Sequence, residues 1–106
     1  ANTEAAPVQA EIRAIVADFD KAIELSPRMS FAYFNKGNVY AELGDFTSAL
    51  NAYNKAIELK PDLGEAYYNR GYVYFQLGDR EKGSYNLSKA GELGIMPSYN
   101  LLKRMH

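Results

Sequence analysis

The run Phe19-Asp20-Lys21-Ala22-Ile23-Glu24-Leu25-Ser26-Pro27 returns as Tyr53-Asn54-Lys55-Ala56-Ile57-Glu58-Leu59-Lys60-Pro61. Ala32-Tyr33-Phe34-Asn35-Lys36-Gly37-Asn38-Val39-Tyr40 returns as Ala66-Tyr67-Tyr68-Asn69-Arg70-Gly71-Tyr72-Val73-Tyr74, and Leu43-Gly44-Asp45 as Leu77-Gly78-Asp79. All three pairs share one offset, 34 residues, and a period of that length marks a stacked helical array rather than a single closed core. Aligning 30–63 with 64–97 leaves about 13 identical positions, far above chance. This regularity excludes most folds before composition is considered.

Each unit reads as two helices. In 31–43 the apolar and aromatic residues Phe31, Tyr33, Phe34, Val39, Tyr40 and Leu43 cover more than one face, as a helix with neighbours on several sides requires. Gly44 suits the left-handed residue that ends a helix, and Asp45 suits the N-cap of the next. In 46–59, Ala49, Leu50, Tyr53, Ala56 and Ile57 make one amphipathic stripe, which Pro61 stops. Asp62 and Glu65 are spaced as a capping box opening the second unit. Gly37 is expected to face Ala49, and Gly71 to face Gly83, where the two helices of a unit cross. The ends are irregular: Ile12, Ile15, Val16, Phe19, Ala22 and Ile23 supply one helix matching only the second half of a unit. The pattern breaks at Gly94-Ile95-Met96-Pro97. The expected division is a flexible N-terminus (1–7), a half repeat (8–27), two repeats (30–63 and 64–97) and a short capping helix (98–106). This layout matches the C-terminal end of a longer array.

The unit resembles the tetratricopeptide repeat family, whose pattern is W-x2-L-G-x2-Y, then A-x3-F, then P. The first whole unit carries Tyr33-x2-Lys36-Gly37-x2-Tyr40, Ala49-x3-Tyr53, Ala56 and Pro61. The second carries Tyr67-x2-Arg70-Gly71-x2-Tyr74, Gly83-x3-Leu87 and Ala90, with Ile95 in place of the proline. Lys36 and Arg70 replace the usual leucine, which their long alkyl stems tolerate. The resemblance implies an all-α fold of antiparallel helix-turn-helix repeats stacked as a right-handed α-solenoid. It also implies that the first helix of each unit lines a concave peptide-binding groove. The groove positions are then Phe31, Phe34, Asn35, Asn38, Ala41 and Glu42, followed by Glu65, Tyr68, Asn69, Tyr72, Phe75 and Gln76. Asn38 and Asn69 match asparagines that hold peptide backbone in members with a carboxylate clamp. The clamp's cationic position in the first unit is Phe34, however, and only Lys103 falls near another basic position.

Little else in the chain points to chemistry. The one histidine, His106, is the last residue, no cysteine exists, and no glycine-rich phosphate loop appears. Lys21, Lys55 and Lys89 each precede a glutamate (Glu24, Glu58, Glu92) by three residues and read as pairs along a helix. No catalytic residue, metal ligand or cofactor site is expected. A net charge of -1 offers no global attraction for nucleic acid or an anionic membrane, so neither is an expected partner. The expected function is a scaffold holding a peptide or partner segment in the groove. The alternative is a purely structural or self-associating terminal segment of a longer array. Ile12, Ile15, Val16, Phe19 and Ile23 are too many apolar residues for one contact face, and Val8 is the one bulky apolar residue before them. A homodimer through the N-terminal helix therefore covers them better than folding back of residues 1–10.

Overall fold

The computed structural model describes residues 5–26, 28–95 and 97. Among these lie five helices and no strand: α1 (Ala5–Leu25), α2 (Ser30–Glu42), α3 (Phe46–Leu59), α4 (Gly64–Gln76) and α5 (Arg80–Glu92). The pairs α2/α3 and α4/α5 are antiparallel hairpins with the most extensive contacts in the molecule, and α1 and α3 pack onto the helices that follow them. The array forms a slab, 41 × 37 × 19 Å. The capping segment expected at 98–106 lies outside the described residues.

The hairpins are made by one repeated device. The N–H of Gly44 donates to Ala41 and that of Asp45 to Tyr40, while Gly78 donates to Phe75 and Asp79 to Tyr74. This bonding pattern satisfies the last carbonyls of a helix and requires a left-handed residue, supplied by Gly44 (φ 77°) and Gly78 (φ 83°). The aspartate that completes one helix end then begins the next helix. Asp45 accepts from the Ser48 N–H at 3.2 Å, and Asp79 from the Lys82 N–H at 3.0 Å. One residue thus serves two helix ends, so the turn between them is short.

The links between units are capped differently. Met29 and Leu63 precede α2 and α4 without a side-chain cap, so the capping box expected of Asp62 and Glu65 does not form. Asp62 lies one residue too early and instead pairs with Lys60 at 3.6 Å. Helix α1 also begins earlier than expected, at Ala5, so residues 5–7 are helical. Pro7 fits there because the first four N–H groups of a helix have no intrahelical acceptor to lose.

Small residues set how closely the helices approach. A Cβ on Gly71 would lie 2.9 Å from Asn86 Cβ, 3.0 Å from the Gly83 carbonyl oxygen and 3.2 Å from the Leu87 nitrogen, so Gly71 does face Gly83. The expectation for Gly37 needs correction: a Cβ there would meet the Tyr53 ring at 2.6 Å, so Tyr53, not Ala49, is its closest neighbour. Ala49, Tyr53 and Val73 form one buried cluster, and Ala56, Leu63 and Ala66 another; Phe34 packs against both. Alanine at these positions lets aromatic rings from neighbouring helices fill the space between backbones.

The two basic residues in the family's leucine position do more than lay down their stems. Lys36 pairs with Asp20 of α1. Arg70 donates through Nη1 to Asn54 of α3 at 3.0 Å and through Nε to Asn86 of α5 at 2.7 Å, with its guanidinium 5.1 Å from the Tyr67 ring centre. Asp20 and Asn54 are repeat equivalents, so in both units this side chain reaches back to the second helix of the preceding unit. Burial lowers the Arg70 pKa from its usual value. Two of the three expected lysine–glutamate pairs form, Lys55–Glu58 at 3.5 Å and Lys89–Glu92 at 3.7 Å.

Candidate functional site

A cavity of about 450 Å³ opens between α2 and α4, within the range of sites that hold small ligands or peptide side chains. From α2 it takes Asn38, Ala41 and Glu42, and from α4 Tyr68, Asn69, Tyr72 and Val73; Tyr53 of α3 reaches it from beneath. Helical spacing explains the set. Ala41 and Glu42 lie one turn beyond Asn38, as Tyr72 and Val73 lie one turn beyond Asn69, so each helix presents a strip of one face.

A polar network makes the floor. The Tyr53 hydroxyl donates to Asn38 Oδ1 at 2.6 Å, and Asn69 Nδ2 donates to the same oxygen at 2.8 Å. Tyr53 is only 1% exposed, so its hydroxyl requires such a partner. Burial pushes the phenol up to about 12; the charge of Glu42 adds to this, while a hydrogen bond from Asn69 opposes it. Tyr53 is therefore a fixed donor at any physiological pH, not an acid or base for chemistry. With Asn38 Oδ1 accepting twice, the further hydrogen-bonding capacity of the two amides is the Asn38 N–H groups, which donate, and the Asn69 carbonyl oxygen, which accepts. That pair matches the C=O and N–H of a peptide unit.

Of the residues expected to line a groove, Asn38, Ala41, Glu42, Tyr68, Asn69 and Tyr72 come together here. Phe34 does not: it packs into both core clusters, its ring 6.1 Å from that of Tyr53. Phe75 is likewise turned inward, against Gly83. Phe31, Asn35, Glu65 and Gln76 are exposed but do not line the cavity. Sequence reasoning missed Tyr53 and Val73. A tyrosine where the family pattern has phenylalanine was the available signal, because its added hydroxyl must reach a polar partner. The position matching a clamp's cation is filled by the half-buried Phe34 ring, and Lys103 lies outside the described residues. Among the described residues no three His, Asp or Glu side chains gather as a metal site, and no helix is long and apolar enough to cross a membrane.

Two family models match the chain, one described as "TPR repeat" over residues 37–78 and one as "Tetratricopeptide repeat" over 19–51. Between them they run across more than half of the sequence. No curated protein matches. Among solved structures, MamA is 30% identical with a TM-score of 0.77, over 84% of this chain and 52% of that one. YrrB, described as a TPR protein with an unusual peptide-binding site, is 27% identical with a TM-score of 0.79, over 91% of this chain and 51% of that one. The first TPR of Spaghetti, bound to an HSP90 peptide, is 22% identical with a TM-score of 0.82, over 91% and 78%, and speaks for the fold alone. The chain thus spans about half the length of MamA and YrrB.

Proposed function

Because this chain belongs to the tetratricopeptide repeat family, generally a non-catalytic protein-interaction module, we propose that it holds a segment of a partner protein in the groove between α2 and α4. In this reading 30–63 and 64–97 are the two units that build the groove, and the chain is a scaffold, not an enzyme. One observation carries it: the Asn38–Tyr53–Asn69 network sets two side-chain amides, with donor and acceptor atoms, in a cavity walled by Tyr68 and Tyr72. A peptide supplies both complements in its backbone and apolar matter in its side chains. Aromatic residues rigid enough to hold their place are favoured anchors in such contacts. Binding of a peptide selected from a random library should weaken by about 1–2 kcal/mol for Tyr68→Ala and for Tyr72→Ala. Helix content should not change, since neither residue is fully buried. Both variants binding like the parent would refute the groove.

A second reading rests on a different surface. Helix α1 leaves Val8 54%, Ile15 44% and Leu25 79% exposed, apolar surface that a second copy of the chain would cover. Self-association through α1 is compatible with an open groove, because the groove uses α2, α3 and α4.

A further inference from the structure

The charge around the groove narrows what it takes. Glu42 is the one formally charged residue lining it, and no lysine or arginine lines it among the described residues. The cations nearest in sequence are committed elsewhere: Lys36 to Asp20 of α1, and Arg70 to Asn54 and Asn86. The position where a clamp would present a cation holds Phe34, packed into the core. Among the described lining residues an incoming carboxylate therefore meets a like charge and two tyrosines, with no cation to compensate it. An incoming ammonium or guanidinium meets the opposite charge of Glu42 and two tyrosine rings able to interact with a cation.

Resting on the groove reading above, we infer that the groove selects an internal peptide segment carrying a lysine or arginine, and does not select an acidic C-terminal tail. The basic side chain lies between Glu42 and the tyrosine rings, its alkyl stem over Ala41 and Val73, while the backbone of the same segment meets Asn38 and Asn69. The rise in the Tyr53 pKa has Glu42 among its causes, so the field of that carboxylate extends to the cavity floor. A partly exposed ion pair with a ring contact favours the basic side chain over glutamine by about three- to tenfold.

The test is affinity selection from a displayed library of random heptapeptides with both ends blocked, using the full chain and its Glu42→Lys and Tyr72→Ala variants. Glu42 is exposed at the end of α2, where lysine suits the helix terminus, so Glu42→Lys should fold. Lysine and arginine should be enriched by the parent, and Glu42→Lys should shift the enrichment to aspartate and glutamate. For a captured basic peptide, Glu42→Gln should weaken binding by about two- to fivefold, and less at high salt. If Tyr72→Ala abolishes capture but the selected peptides are neutral or acidic, or Glu42→Lys leaves them unchanged, the inference is overturned and the groove stands. If capture is absent or indifferent to Tyr72→Ala, the groove reading itself is overturned, and the inference goes with it.

Discussion

Replacing Gly71 by alanine adds one methyl group at the α4/α5 crossing, and the atoms it meets decide the outcome. Two of the three nearest, the Gly83 carbonyl oxygen at 3.0 Å and the Leu87 nitrogen at 3.2 Å, are backbone of α5; the third is Asn86 Cβ at 2.9 Å. None can swing aside as a side-chain tip can. Relief requires α5 to move by a few tenths of an ångström, taking with it Leu87 and Ala90, both fully buried. Overpacking of this kind costs about 1–3 kcal/mol. Alanine returns up to about 1 kcal/mol through its better helix propensity. The net expectation is a loss of about 1–2 kcal/mol, and each kcal/mol lowers the melting temperature by about 4–8 °C in a domain of this size. Urea unfolding followed by circular dichroism measures it directly. Gly83→Ala is the internal comparison: its Cβ would meet the Phe75 ring at 2.7 Å, a side chain that can turn, so its cost should be smaller. If Gly71→Ala unfolds at the same or higher urea concentration with an unchanged slope, the crossing is not as tight as the distances imply and the argument fails.

Asn38→Ala strips the acceptor from both Tyr53 and Asn69, which should cost about 1–3 kcal/mol; adding Tyr53→Phe should cost little more, and a double-mutant cycle that is simply additive would refute the network. The phenol of Tyr53 titrates at about 12 when folded against an ordinary 10, so the folded state favours the protonated form. Its contribution is whole below pH 10 and is lost as pH rises from 10 towards 12, a loss that Tyr53→Phe should lack when urea midpoints are compared across that window. For self-association through α1, sedimentation at micromolar concentration should give a dimer that Ile15→Glu converts to monomer; a parent that sediments as a clean monomer would end that reading.

Local sequence determines the helices and most of their ends, because the forces involved act within a few residues. A Leu-Gly-Asp connector carries in three positions the left-handed turn and the next helix's cap, and Asp45 and Asp79 both act as their spacing predicts. Repetition at one period extends this to the stack: units with the same apolar faces bury them against one another. Gly71 facing Gly83 follows from that register alone. Which aromatic ring turns inward does not. Phe34 and Phe75 share a helix face with groove residues, yet they pack inward because Ala49, Ala56 and Gly83 leave ring-sized space beneath them. Tyr53 belongs to the second helix of its unit, not to the first helix from which groove residues were expected, but its hydroxyl still reaches Asn38 of α2. Lys36 and Arg70 look like a tolerated loss of leucine until the preceding unit's Asp20 and Asn54 are set opposite them. Each of these depends on distances between residues on different helices, and such distances are set only when the helices pack.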